Sequence, residues 1–240
     1  MLPPPSRAPA EPPVALLESV SLDFPDGRPA LRDIGFALQR GSFHFLTGES
    51  GAGKSTLLGL LHLERLPAHG RMQLFGTDVA AADRATRAAL RRRIGVVFQD
   101  FRLVDHLDVL ANACLPLAIA GADPETARRK AIEILETIGL GATRDAFPPT
   151  LSGGQKLRLA IARALVTQPA LLLADEPTAN VDDPLADRLV DLLDAMHRLG
   201  TTVVVATHHR RLIERLGHPV LRLAAGRLVD AAASGLGGQA

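Results

Sequence analysis

Gly48-Glu49-Ser50-Gly51-Ala52-Gly53-Lys54-Ser55 separates a glycine by four residues from Gly-Lys-Ser, the spacing of a loop that wraps a phosphate chain. Without Cβ atoms, Gly48, Gly51 and Gly53 let successive backbone N–H groups curl around a β-phosphate. A helix beginning near Lys54, and running on through Thr56, adds the partial positive charge of its N-terminus. Lys54 can reach β- and γ-oxygens, and the Ser55 hydroxyl can ligate Mg²⁺. A glycine-rich loop alone is a tight turn; with Lys-Ser after it and the strand-like run 43–46 before it, the segment reads as a nucleotide site.

Two acids complete that chemistry. Residues 171–174 are an apolar run, LLLA, that delivers Asp175 and Glu176 to its C-terminal end, the edge at which open α/β sheets bind ligands. Asp175 suits the hold on Mg²⁺, and Glu176 suits orienting or deprotonating an attacking water. No Asn-Lys-x-Asp segment is present to read guanine. A third segment, Leu151-Ser152-Gly153-Gly154-Gln155, combines a capping box (Ser152 with Gln155) with a Gly-Gly helix start, and Leu157, Ile161 and Leu165 follow on one face. It is a second anion site with no lysine of the first kind, incomplete until a partner surface supplies the rest.

The elements that must position these residues are strand-like runs at 14–24, 42–46, 71–75, 94–98, 170–174 and 201–206. Uninterrupted blocks such as LLLA and VVVA are typical of parallel strands buried on both faces. Between the last two runs, Asp183 can N-cap a helix with Pro184 at its first position, and Leu185, Leu189, Leu192, Met196 and Leu199 recur at helical spacing. Asp123-Pro124 opens another helix with Ala127, Ala131, Ile134, Leu135 and Ile138 on its apolar face and Gly139 to end it. A helix-rich block at about 100–166 thus sits inside an α/β framework. The uncharged stretch 109–122, interrupted by Asn112, Pro116 and Gly121, reads either as a buried helix with a bend or as a docking groove for an apolar partner element.

Composition excludes other classes. The chain has 240 residues with 27 Lys+Arg against 26 Asp+Glu, so it lacks the positive field of a dedicated nucleic-acid binder. It has no Trp or Tyr for base stacking, and Cys114, its one cysteine, forbids an intrachain disulfide. No window approaches the ~20 apolar residues of a spanning helix. Six of the 17 prolines fall within residues 1–13, the composition of an extended, disordered leader, and residues 231–240 read as a flexible tail. Arg91-Arg92-Arg93, Arg128-Arg129-Lys130 and Arg210-Arg211 could meet anionic lipid headgroups, but such runs are usually solvated helix faces and read as such. His208 and His209 have no suitably spaced co-ligands for a metal, and His44, His62, His69, His106 and Cys114 read as structural or surface residues.

Together the phosphate loop, the strand-end acids and LSGGQ resemble the ATP-binding cassette (ABC) ATPases over residues 14–229. The resemblance implies a P-loop NTPase (RecA-like) α/β core with an antiparallel β-subdomain and an inserted α-helical subdomain at about 100–166, within one domain spanning 14–230. It implies ATP and Mg²⁺ as cofactors, Phe24 stacking on adenine, Gln99 sensing Mg²⁺ and the attacking water, Asp182 as the D-loop acid and His208 as the switch histidine on the γ-phosphate. Metal contacts would come from Ser55, Gln99 and Asp175. Two chains would face head to tail as an ATP-bound homodimer, each phosphate loop opposing the other's Ser152–Gln155.

Within that family, FQDFRL at 98–103, GESGAGKSTLL and LLADEPTANVDD are most similar to the FtsE-type bacterial cell-division ATPases. That likeness implies an FtsX-like integral membrane partner, regulation of peptidoglycan hydrolysis, no nucleic-acid partner, and peripheral association at the cytoplasmic face of the inner membrane at the division site. An ABC importer or lipoprotein-releasing subunit is the alternative. DNA-repair members would carry a long coiled coil or zinc insert in the interval 100–150, and translation-associated members two cassettes. The chain departs from the pattern at His209, where an Asp usually follows the switch histidine, at Leu157 in place of a common Gln, and in its Pro-rich leader.

Overall fold

Strand β1 (Ala15–Asp23) alternates buried and exposed residues, burying Ala15, Leu17, Val20 and Leu22, but the alternation slips at Glu18 and Ser19. A bulge there, with Ser19 at φ 48°, lets both halves of the strand face the same core. Gly70 answers it from the next strand, since a Cβ at Gly70 would stand 2.3 Å from the Ser19 carbonyl oxygen. Antiparallel pairing joins β1 to β2 (Pro29–Leu38) on one side and to β4 (His69–Leu74) on the other, and β5 (Thr77–Asp78) extends β4. The computed structural model describes residues 12–179 and 183–229.

The second sheet holds the chemistry. Its order is β10 (Arg227–Leu228), β9 (Val220–Ala224), β3 (Phe43–Thr47), β8 (Thr202–Ala206), β7 (Leu171–Asp175) and β6 (Ile94–Val97), with every pairing parallel except β10 with β9. Because side chains alternate along a strand, each apolar run serves two cores. Leu171, Leu173, Val204 and Ala206 face α1 (Lys54–Leu61) and the antiparallel sheet. Phe43, Phe45, Leu172, Ala174, Val203 and Val205 face α5 (Gly153–Leu165) and α6 (Asp183–Arg198). Each Leu, Val or Phe among them contributes roughly 1.5–3 kcal/mol on burial, which is why these runs need no alternation in the sequence.

A third apolar cluster joins α3 (Val109–Ile119), α4 (Pro124–Thr137) and α5 through Val109, Leu110, Ala113, Leu117, Ala127, Ala131, Leu135 and Leu159. Asp108 and Asp123 cap α3 and α4, accepting from the N–H groups of Ala111 and Thr126. Asn112, fully buried, pins the approach to α3: its oxygen accepts from Val104 N–H, and its amide donates to the carbonyls of Val104, Leu107 and Asp108. The remaining helices are α2 (Arg84–Arg91) and α7 (Arg210–Leu216). No helix among the described residues is long and apolar enough to cross a membrane.

Several expectations shift in detail. On α6 the buried face is Ala186, Leu189, Val190 and Leu193; Leu185, Leu192 and Met196 are only half-buried, and Leu199 lies exposed beyond the helix end. The helix starts at Asp183, whose side chain lies outside the described residues, as do the proposed D-loop Asp182, the leader up to residue 11 and the tail 231–240. The stretch 109–122 forms α3, with Pro116 inside it and Ile119 68% exposed. Strands β2, β5, β9 and β10 carry too few consecutive apolar residues to stand out in the sequence.

Candidate nucleotide site

Between β3 and α1 the chain makes a loop that only glycine permits at two points. At Gly48 (φ 155°) a Cβ would lie 2.3 Å from the carbonyl oxygen of Leu223 on β9, and at Gly53 (φ 106°) it would press within 3.2 Å of Leu223, Leu31 and Ala30. Gly53 is the N-cap of α1; no side chain caps it, and the first turn holds no acid. The leading N–H groups and the positive end of the helix are therefore presented to an external anion. Lys54 Nζ folds back over the loop, donating to the carbonyls of Gly48 (2.8 Å) and Glu49 (3.2 Å).

The parallel topology brings the acids to the same edge. β7 and β8 pair with Asp175 opposite Ala206, and Glu176 follows in a left-handed conformation (φ 44°) with its N–H donating to the Ala206 carbonyl. A non-glycine residue held there costs roughly 1–3 kcal/mol, and the turn aims its side chain across the sheet edge. Glu176 Oε1 lies 3.7 Å from Lys54 Nζ and Oε2 lies 3.0 Å from His208 Nδ1. The carboxylate is 12% exposed and the imidazole 71%. His208 is set by the turn leaving β8, where the buried Thr207 hydroxyl accepts from His209 N–H.

Asp175 stands against the Ser55 hydroxyl, with its Oδ1 buried and lacking a hydrogen-bond partner among the described residues. Burial pushes its carboxyl above the usual range; the Ser55 hydrogen bond and the Lys54 charge pull it back, and neighbouring Glu176 raises it further. A buried oxygen without a partner beside a hydroxyl is a hard-oxygen donor set of the kind a divalent cation completes.

One cavity of about 810 Å³ gathers Phe24, the loop residues Gly48, Glu49, Ser50, Gly51, Gly53, Lys54, Ser55 and Thr56, and Gln99, Glu176 and His208; Ala52 is buried behind the loop, donating to the Glu49 carbonyl. Sequence reasoning missed three contributors. Arg65, which flanks the Phe24 ring without lining the cavity itself, lies 5.6 Å from the ring centroid, and Arg28 lies 5.9 Å from it. Ala225 and Gly226, in the turn between β9 and β10, form part of the wall, and Gly226 N–H donates to the Ala52 carbonyl. Ala225 and Gly226 did not stand out because they lie between β9 and β10, which the apolar pattern left unmarked, and Arg65 because a single arginine between α1 and β4 carries no pattern of its own.

Leu151, Ser152, Gly153, Gly154 and Gln155 are not part of this cavity. Their capping box forms: Gln155 N–H donates to Ser152 Oγ (3.3 Å), and Ser152 N–H donates to Gln155 Oε1 (2.8 Å). Leu151 is buried as an anchor, while Ser152 and Gly153 are exposed, and a Cβ at Gly153 would meet nothing within 4 Å.

A phosphate loop, strand-end acids and a separately presented capped helix on one parallel sheet define an ATP-binding cassette. Residues 31–179 match the ABC transporter family, and the chain belongs to that family. Its relatives include the cell division ATP-binding protein FtsE of Escherichia coli strain K12, 43% identical over 211 residues that cover 88% of this chain and 95% of the relative. The methionine import ATP-binding protein MetN of Caulobacter vibrioides is 40% identical over 205 residues, covering 85% of this chain and 62% of that protein. Among solved structures, the ATP-binding cassette MJ0796, dimeric in a post-hydrolysis state with ADP and Pi, superposes with a TM-score of 0.83 at 32% identity, covering 90% of this chain and 97% of that one. The chain is an ABC-type ATPase.

Proposed function

We propose that the chain is the ATP-hydrolysing subunit of an FtsE/FtsX-type membrane complex in bacterial cell division, in which ATP-driven dimerisation regulates peptidoglycan hydrolysis through the membrane partner. The observation that carries the ATPase cycle is the separation of two half-sites: a cavity with the loop, Glu176 and His208, and a capped helix N-terminus whose Ser152 and Gly153 face outward. Two chains placed head to tail bring the second half-site of each over the first of the other. A site assembled this way closes with the triphosphate in place and reopens when it is split, so hydrolysis becomes motion.

In the reading we favour, Phe24 stacks on the adenine, the N–H groups of the loop and of α1 hold the β-phosphate, and Lys54 exchanges its two carbonyl contacts for β- and γ-oxygens. Ser55, Asp175 and Gln99 would hold Mg²⁺, which when bound neutralises charge on the phosphate oxygens. Glu176 orients a water, whose oxygen bonds to the γ-phosphorus as the bond from that phosphorus to the β–γ bridging oxygen breaks. The water's proton passes to Glu176 and ADP departs with the electron pair. His208, already within hydrogen-bond reach of Glu176, keeps the carboxylate aligned and donates to the γ-phosphate.

Membrane coupling is supported by a groove of about 540 Å³ between α2, β6 and α3, lined by Leu115, Pro116, Ile119, Phe98 and Ala164, with Arg91, Arg92, Arg102 and Arg163 at its margin. An exposed apolar patch rimmed by charge is the surface expected of a protein contact. Similarity to FtsE of E. coli supports the division role, and similarity to MetN of C. vibrioides keeps an importer as the second reading. Affinity purification from membranes discriminates them: an FtsX-like permease should co-purify, and loss of the gene should impair septation. Normal division with defective uptake of one solute would establish the importer instead.

A further inference from the structure

Arg163 is a half-buried residue near the C-terminal end of α5, the helix that starts with the capped Ser152 segment. Its guanidinium makes a fork on consecutive backbone carbonyls of a segment some sixty residues earlier, with Nη2 donating to Phe101 and Nη1 to Arg102, both at 2.6 Å. Those two residues are consecutive non-glycines in the left-handed region (φ 59° and 47°). Each such residue is strained and persists only when its surroundings hold it. Arg163 is what holds them from behind. In front, Phe98 lies under the Arg102 guanidinium at 4.0 Å, and Phe101 N–H donates to the Phe98 carbonyl. Between these points stands Gln99, exposed at the cavity.

We propose that Arg163 is a positioning residue for hydrolysis: its fork fixes the 98–102 turn to the helix that carries the Ser152 segment, and so sets where Gln99 stands over the γ-phosphate. This rests on the reading of Gln99 given above. The planar guanidinium is required because two parallel N–H donors meet two successive carbonyls, whereas an ammonium is a single point donor. The eleven residues from Gly153 to Arg163 form an unbroken helix, so tilting α5 at its phosphate-facing end displaces the turn at the other.

The test is a double-mutant cycle with Gln99 in the full-length chain. Arg163→Met should lower kcat about tenfold while the Kd for ATP without Mg²⁺ stays within about twofold, a loss confined to the reacting state. Arg163→Lys should not restore the rate. In a Gln99→Ala background, Arg163→Met should cost nothing further, because the residue it positions is gone. Multiplicative losses would make Arg163 a purely structural residue and overturn the proposal, as would wild-type turnover in Arg163→Met. Wild-type turnover in Gln99→Ala alone would instead overturn the Gln99 reading, and the proposal with it. Should Arg163→Met fail to fold, amide hydrogen exchange in Arg163→Lys decides: protection should fall selectively at 98–104, and unchanged exchange there would refute the fork.

Discussion

Oε2 of Glu176 sits 3.0 Å from Nδ1 of His208 while Oε1 of the same carboxylate sits 3.7 Å from Nζ of Lys54. Residues from three parts of the chain, each at the C-terminal edge of a parallel strand, thus share one carboxylate before any triphosphate arrives. In the proposed cycle a bound phosphate chain draws Lys54 away and leaves the acid with its imidazole partner.

Replacing that acid by its amide separates binding from chemistry. Glu176→Gln keeps the shape but has no strongly basic oxygen, so turnover should drop about 10²–10⁴-fold while ATP still binds. Size-exclusion chromatography with ATP should show an accumulated dimer, and hydrolysis at the wild-type rate would remove Glu176 from the catalytic role.

Lys54→Ala removes the cation that closes over the loop. Calorimetry should register loss of tight ATP binding, with the fold intact because, among the described residues, the Lys54 ammonium makes its hydrogen bonds and ion pair with the Gly48 and Glu49 carbonyls and the Glu176 carboxylate, all within the site. Unchanged nucleotide affinity would overturn the phosphate-loop assignment.

Two glycines should behave oppositely. Gly48→Ala drives a methyl to 2.3 Å from the Leu223 carbonyl, so β9 or the loop must shift, at a cost of about 2–4 kcal/mol read as a fall in Tm. Gly153→Ala meets open space in a helix and should leave Tm unchanged or higher, since alanine is the better helix former by about 1 kcal/mol. Its effect should appear only in ATP-driven dimerisation, measured by light scattering.

Stability should weaken on mild acidification. Burial pushes the imidazole of His44 below its ordinary 6.5, helped by His218 and His197, and burial does the same to His62 despite the opposing pull of Glu64. Each folded-state pKa lies under the unfolded one, so the unfolded chain takes up protons first. The stabilisation is complete above pH 6.5 and is lost as pH falls from there through the lowered folded values. Urea titrations at pH 7.5 and 5.5 should show the decline, and His62→Gln should flatten part of it; an unaltered slope in that variant would remove His62 from the account.

What the amino-acid order dictated on its own is whatever closes within a few residues. The loop at 48–55, the reciprocal cap of Ser152 and Gln155, the Asp123-Pro124 helix start and the doubly buried runs LLLA and VVVA all depend on local backbone hydrogen bonding and on side-chain parity, and all appear where the sequence places them. Strand β9 was invisible, because VLRLA alternates over only five residues and gains its stability by pairing with β3. It nevertheless supplies the Leu223 carbonyl that makes Gly48 obligatory. Likewise the Arg163 fork and the Glu176–His208 contact join positions 62 and 32 residues apart. Such meetings are decided by strand order and helix placement, and a linear pattern does not carry that information: the energy favouring each contact arises only after the intervening chain has packed.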